Sequence, residues 1–470
     1  MGSGPRIAIV GAGPAGAFAA VCLWELRREA QVDLFERLPT PWGLLRGGVA
    51  PDHQEIKRLD DTFDRETLAR GCRLFGNVEV GVDVSHEELM RHYTAVIYAT
   101  GAQTDKSLGI PGEELPGSWA ATEFVAWYNG HPDYRELQFD LSPRRAVVIG
   151  NGNVAADVTR MLTLSQPELE RTDVADHALD ALRESRIEEV VVLGRRGPAQ
   201  VAFTSSELRE LGHLDGVELR VDPAEVELDP LSRSWIEDEG TFTVRKNVQL
   251  LREFANRRER TDSRRRIVLR FLRSPVEIRG NGRVEAVDVC RNEIVRGDDG
   301  SLRPRSVDGG IETIDCGLVL RSVGYQAVPL PGVPFDERSF VLPNDRGRVL
   351  GPGGDPLAGV YAVGWIKRGP TGILGTNKRD ADETVRCLAE DLAAGRLRTP
   401  PEPDPDHIEA LLAERKSDLV TVEGWRAIDA HERERGSHEQ RPRVKLSSLD
   451  ELLAVAGTAP VPDTGRRSSA

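Results

Sequence analysis

The sequence predicts an α/β protein built from two Rossmann-like units, the second inserted into the first, and three observations carry that expectation. A short apolar strand runs into a glycine-rich turn and a helix near the start of the chain. The same pattern recurs near residue 150, and two apolar segments ending at glycine stand where the chain would cross between units. A length of 470 residues leaves room for two such units, each with its own core.

The first pattern opens on apolar residues 7–10 and continues through Gly11-Ala12-Gly13-Pro14-Ala15-Gly16 into an alanine-rich helix over residues 17–24. In such a GxGxxG turn the first glycine makes the tight bend, the second lets backbone approach a pyrophosphate, and the third lets the helix pack on the strand. Amides at the helix N-terminus then face the phosphates. The next strand, residues 31–36, ends in Glu36, 20 positions after Gly16. A carboxylate there accepts hydrogen bonds from ribose hydroxyls and repels a 2′-phosphate, so FAD or NAD fits this unit and NADP does not.

The second pattern runs from residues 145–149 into Gly150-Asn151-Gly152-Asn153-Val154-Ala155, a GxGxxA variant opening a helix over residues 156–164. Alanine in the third place still permits close packing. The following strand, residues 189–194, ends in Arg195-Arg196 rather than an acid. Two guanidiniums can clamp the 2′-phosphate of NADP through charge-assisted bonds. Ala155 and Arg195 lie 40 positions apart, twice the spacing in the first unit, and residues 167–186 extend or follow the helix. Glu207, in Thr204-Ser205-Ser206-Glu207, stands at a helix start, where ordinary capping and a hydrogen bond to the cofactor are both open.

Residues 93–101 and 316–325 are the crossing segments. The first unit therefore takes residues 1–102 and 325–470, and the inserted unit residues 103–324. Residues 360–364 supply a returning strand, residues 400–406 read as a connector, and residues 408–416 and 447–455 have helical apolar spacing. The tail, residues 458–470, is expected to be disordered.

A formal charge of −14 argues against a general nucleic-acid binder, which needs a surplus of Lys and Arg. No charged and apolar leader or membrane span is evident, which makes a soluble cytoplasmic protein the default. Cys22, Cys72, Cys290, Cys316 and Cys387 are too scattered for a zinc site, a thiolate-held cluster or a redox dithiol. They are expected as buried small apolar residues, and no metal site is expected.

Two further stretches are more specific: Leu38-Pro39-Thr40-Pro41-Trp42-Gly43-Leu44-Leu45-Arg46-Gly47-Gly48-Val49-Ala50-Pro51-Asp52-His53 and Gly364-Trp365-Ile366-Lys367-Arg368-Gly369-Pro370-Thr371-Gly372-Ile373-Leu374-Gly375-Thr376-Asn377. With both glycine loops and the arginine pair in order, the chain resembles the adrenodoxin reductase family, in particular actinobacterial NADPH-ferredoxin reductases of the FprA type, from about residue 5 to about residue 455. That resemblance implies a glutathione-reductase-like flavoprotein in which FAD and NADPH meet. It carries FAD contacts to Ala15, Glu36, Leu44, Val80, Trp365, Gly372, Ile373 and Leu374. NADP contacts carry to Asn151, Gly152, Asn153, Val154, Arg195, Arg196, Glu207 and Gly372. His53 and Glu210 become the ionisable pair near flavin and nicotinamide.

The expected activity is that of an FAD-containing ferredoxin-NADP(+) oxidoreductase, in which hydride passes from NADPH to FAD and single electrons then pass to an iron-sulfur protein. A general NADPH diaphorase or quinone reductase on the same flavin is the alternative. A nonenzymatic dinucleotide-binding redox sensor is a more distant one. The lack of paired cysteines disfavours a disulfide reductase. Because ferredoxins are usually acidic and this chain is acidic too, docking needs a local basic patch. Lys367, Arg368, Lys378 and Arg379 are the candidates, with Arg264-Arg265-Arg266 as a further choice.

Overall fold

The computed structural model describes residues 4–258 and 263–458, which divide into two compact units. One comprises residues 4–49, His53–Thr104 and residues from 325 onward; the other comprises Ala50–Asp52 and Asp105–Gly324. The tail expected to be disordered lies outside the described residues from position 459.

In the first unit five strands run parallel in the order Pro356–Ala362, Ala95–Tyr98, Arg6–Val10, Gln31–Glu36 and Arg73–Gly76. Antiparallel strands Arg348–Leu350 and Asn344–Asp345 extend one edge. The central strands read as unbroken apolar runs because both faces are covered: residues Ile7, Ala8, Ile9, Ala95, Val96, Ile97 and Tyr98 are all fully buried. The helix Pro14–Leu26 packs beside Leu374–Ala393, and buried Ala17, Ala19 and Ala20 let the helix sit close.

The helices Pro405–Arg415 and Leu449–Ala456 match the apolar spacing of the C-terminal sequence, but an 18-residue helix, Val422–Glu439, has no such signal. Part of its inward face is charged. Glu432 is fully buried and accepts two bonds from Arg46 at 2.8 and 2.6 Å, one from Arg443 at 3.2 Å and one from the Leu446 amide at 2.8 Å. Burial would push its carboxyl up, yet the two guanidiniums hold it below the usual range. A periodicity search for apolar residues misses a helix that buries an ion pair instead.

The second unit is built on six parallel strands in the order Ser118–Ala120, Leu318–Arg321, Arg145–Ile149, Glu189–Gly194, Arg265–Phe271 and Val217–Val221. After the helix Asn153–Thr163, residues 167–186 do not extend it. They contribute the separate helices Gln166–Leu169 and Asp176–Arg183, which accounts for the long spacing before the arginine pair. An antiparallel sheet of Arg273–Arg279, Ala286–Arg296 and Leu302–Asp315 completes the unit, with a register shift between Cys290 and Asn292.

All five cysteines are buried free thiols, and burial pushes Cys22 up to about 11 and Cys316 up to about 12. Among the described residues, no helix is long and apolar enough to cross a membrane.

Candidate functional site

The three glycines of the first loop are not equivalent. Gly11 has φ +102°, and a Cβ there would lie 2.5 Å from the Ala99 carbonyl oxygen; at Gly16 it would lie 2.1 Å from the Gly11 oxygen. Protein packing alone demands both. Gly13, at φ −74°, would place a Cβ no nearer than 3.8 Å to Gly43 Cα, its nearest neighbour. Packing does not require glycine there, whereas a pyrophosphate approaching the backbone does.

The helix that follows Gly13 has no side-chain cap and no acid in its first turn, so its leading amides and its positive end remain available to an anion. By contrast, the helix His86–His92 is closed by reciprocal bonds between Ser85 and Glu88. Glu36 is half-buried at the end of its strand, and its two carboxylate oxygens accept from the amides of Ala12 at 3.0 Å and Leu38 at 3.1 Å. Burial raises its pKa, and those amides pull against the rise. The acid is thus tied directly to the glycine loop.

Two polar atoms in this unit were not assigned a role from sequence. Among the described residues, Trp42 Nε1 and Thr100 Oγ1 are buried without a hydrogen-bond partner, although such groups are normally satisfied. Trp42 also holds φ +78°, and its amide donates to the Ala12 oxygen at 2.8 Å, so its segment is fastened to the glycine loop. Leu44 follows at the start of a short helix, 38% exposed. The orphaned indole and hydroxyl, the open face at Gly13 and the uncapped helix together fit a polar dinucleotide.

The returning strand ends against the same loop. At Gly364 a Cβ would fall 2.6 Å from that of Ala15. The Gly364 amide donates to Asp380, an acid within the helix Leu374–Ala393 that carries no sequence signal of its own. Trp365 is half-buried with its ring 5.1 Å from that of Tyr325. Gly372 has φ +85°, Ile373 is 63% exposed, and Leu374 opens its helix with no acid in the first turn. Val80 is taken into the core with Phe75, Val84 and Tyr98.

In the second unit the glycine loop repeats the division of labour. Gly150 has φ +136°, and a Cβ would lie 2.2 Å from the Ser322 oxygen, while at Gly152 it would meet only Ala202 Cβ at 3.8 Å. The helix after Gly152 is likewise uncapped and free of first-turn acids. Asn151 Nδ2 is buried without a partner among the described residues and lies 2.7 Å from where a Cβ on Gly194 would sit, which explains the glycine before the arginines. Asn153 accepts from the Thr204 amide at 2.8 Å, and Val154 packs against the core.

Arg195 and Arg196 are exposed at the end of their strand, and among the described residues neither guanidinium has a hydrogen-bond or ion-pair partner. Partial burial, with Arg195 alongside, lowers the pKa of Arg196. Two adjacent uncompensated cations favour a dianion.

The capping role open for the Glu207 turn is realised: Thr204 Oγ1 accepts from the Glu207 amide at 3.3 Å. The Glu207 carboxylate is bound to Arg160 at 2.6 Å. Arg160 is 1% exposed and also holds Asp52 at 2.8 Å and Asp157 at 2.7 Å, with Glu210 at 3.9 Å. This arginine escaped sequence reasoning because a lone cation inside an amphipathic helix reads as solvated. Glu210 is exposed on the helix Ser205–Leu211, and His53 is half-buried at the start of the helix Gln54–Lys57 in the first unit.

The sequence profile of the pyridine nucleotide-disulphide oxidoreductase family matches residues 5–191. NADPH-ferredoxin reductase FprA of Mycobacterium leprae is 49% identical over 96% of this chain and 98% of its own length. The chain belongs to the FprA-type NADPH-ferredoxin reductase family. Its relationship reaches further, to the mitochondrial NADPH:adrenodoxin oxidoreductase of Salvelinus fontinalis, 40% identical over 97% of this chain and 91% of that one. The solved structure of Mycobacterium tuberculosis FprA in complex with NADPH superposes with a TM-score of 0.89 at 47% identity, covering 96% of this chain and 99% of that chain.

Two of the cations that sequence assigned to ferredoxin docking are spent internally in this member of the reductase family. Lys367 is 8% exposed and bound to Asp380 at 2.8 Å, Glu383 at 2.7 Å and Thr384 at 3.0 Å. Arg368 braces the turn after it, donating to Asn377 at 2.5 Å and to the Thr371 carbonyl. A cation neutralised inside the fold offers little to a partner. The run Arg264-Arg265-Arg266 is also consumed: Arg264 bonds Asp215 and Glu168, Arg265 the carbonyls of Leu162 and Leu164, and Arg266 Glu218 and Glu189. Lys378 and Arg379 are exposed.

Proposed function

We propose that this chain is an FAD-containing NADPH-ferredoxin reductase that takes reducing equivalents from NADPH and releases them singly to an iron-sulfur protein. The observation that carries this reading is the opposition between the two loops: an acid tied to one, and beyond the other an arginine pair with no partner among the described residues. Bound FAD supplies the chemistry that joins a two-electron donor to a one-electron acceptor.

The protein's own residues bind and orient. The loop of Gly11, Gly13, Ala15 and Gly16 would hold the flavin dinucleotide's pyrophosphate, with Gly13 giving it the open face, and Glu36 would accept from its ribose. Leu44, Val80, Trp365, Gly372, Ile373 and Leu374 complete that site. Asn151, Gly152, Asn153 and Val154 receive the pyrophosphate of NADP, while Arg195 and Arg196 clamp its 2′-phosphate. Glu207, braced by Arg160, adds an NADP contact, and His53 and Glu210 serve positioning and polarity near flavin and nicotinamide. The free buried thiols support a reducing compartment, the cytoplasm.

Anaerobic titration of the purified holoenzyme tests the reading. NADPH should bleach the oxidised flavin absorbance stoichiometrically and NADH should do so only at much higher concentration; a spectrum unchanged by NADPH would refute it.

An acidic ferredoxin would meet the exposed pair Lys378 and Arg379. Reversing both charges, Lys378→Glu with Arg379→Glu, is expected to raise the KM for ferredoxin about tenfold at low ionic strength and to flatten its salt dependence. Reduction of a small neutral dye should be unchanged. Equal loss of both activities would remove these residues from the docking surface.

A further inference from the structure

Among the described residues the guanidiniums of Arg195 and Arg196 have no hydrogen-bond or ion-pair partner, so what the fold fixes is the backbone that carries them. That backbone is fastened from one side. Asn292, 2% exposed at the register shift of the strand Ala286–Arg296, donates through Nδ2 to the Arg195 carbonyl at 2.8 Å and to Ser274 Oγ at 2.8 Å. Its own amide donates to the Leu272 carbonyl at 2.8 Å, and the Leu272 amide donates to the Arg196 carbonyl at 3.1 Å. Leu272 holds φ +56°, a region that L-residues rarely adopt and that persists only where surrounding structure fixes it. The carbonyls of both arginines are therefore tied to the same buried residue, that of Arg195 directly to the Asn292 side chain and that of Arg196 through Leu272 to the Asn292 backbone amide.

We infer that Asn292 is a positioning residue for nucleotide selectivity, holding the turn that presents Arg195 and Arg196 to the 2′-phosphate. This rests on the reading that those arginines bind that phosphate. Long exposed side chains lose much of their freedom on binding, so a fixed backbone reduces what remains to be ordered. An asparagine suits the task because its amide donates while remaining neutral in a buried site. Aspartate, nearly the same shape, lacks the donor: its carboxylate would face the Arg195 carbonyl oxygen with no bond to offer, while the Ser274 hydroxyl could turn to donate to it.

The test compares wild type, Asn292→Asp, Asn292→Ala and the double variant Arg195→Ala/Arg196→Ala as holoenzymes. Calorimetry measures adenosine 2′,5′-bisphosphate and 5′-AMP, which differ by the 2′-phosphate. Both Asn292 variants should bind the bisphosphate about tenfold more weakly and 5′-AMP within about twofold of wild type. KM for NADPH should rise in parallel, with kcat and the NADH parameters retained. Equal weakening toward both adenosine ligands, or none toward either, would overturn the inference and mark Asn292 as structural. If the double arginine variant keeps its bisphosphate affinity, the 2′-phosphate reading itself fails. If that variant loses affinity while the Asn292 variants do not, only the positioning role fails. Should the aspartate variant not fold, the alanine variant decides by the same criteria.

Discussion

Replacing Arg195 and Arg196 together by alanine is expected to lower kcat/KM for NADPH by roughly two to three orders of magnitude, while the NADH value stays within about threefold. Each guanidinium is exposed, unpaired within the described residues and adjacent to the other, so an anion placed between them gains charge-assisted bonds without breaking existing ones. Because neither supports the fold through an ion pair, their loss should cost almost no stability. Lysine at both positions should recover only part of the preference, since an ammonium is a point charge and cannot form a planar bidentate pair. Steady-state kinetics with both nucleotides measures the outcome. Retained selectivity in the double alanine variant would move 2′-phosphate recognition elsewhere.

Gly13→Ala should yield a folded protein that retains little FAD, with affinity reduced at least about a hundredfold. At φ −74° alanine is conformationally allowed, and the added Cβ meets no protein atom closer than 3.8 Å. The variant should melt within about 1 kcal/mol of deflavinated wild type, the ordinary range for a change at a helix N-cap. Gly11→Ala makes the opposite prediction. Its φ of +102° and the 2.5 Å approach to the Ala99 oxygen put the cost into the fold, about 2–3 kcal/mol or more. Flavin content after purification, read beside thermal melts of the deflavinated proteins, separates the two. Full FAD occupancy in Gly13→Ala would show that the open face is not where the pyrophosphate lies.

Much of this architecture is legible in sequence because the parallel strands, buried on both faces, leave contiguous apolar runs: residues 31–36, 145–149 and 189–194 are strands over the spans that pattern predicts. Glycine spacing locates both loops for a related reason, since bends with positive φ and close helix packing admit few other residues. Charge is less legible. Sequence shows that Lys367 and Arg160 are cations but not that one is locked against Asp380 and Glu383 and the other against Asp52, Asp157 and Glu207. Asp157 stands three positions from Arg160 on the same helix, but Asp380 and Asp52 lie 13 and 108 positions from their cations, beyond any local pattern. Asp380, Glu432 and Asn292 were missed on the same ground: each is an ordinary polar residue until the fold buries it. Trp42 stands within a recognisable motif, yet its orphaned N–H emerges only once burial is known.

Anaerobic rapid mixing of the holoenzyme with NADPH and a ferredoxin from the same organism tests the proposed electron path most directly, with the flavin and iron-sulfur absorbances followed together. Flavin bleaching should precede reduction of two molecules of a one-electron ferredoxin per NADPH consumed. A ferredoxin that stays oxidised while quinones or dyes are reduced through the same flavin would contradict the assignment.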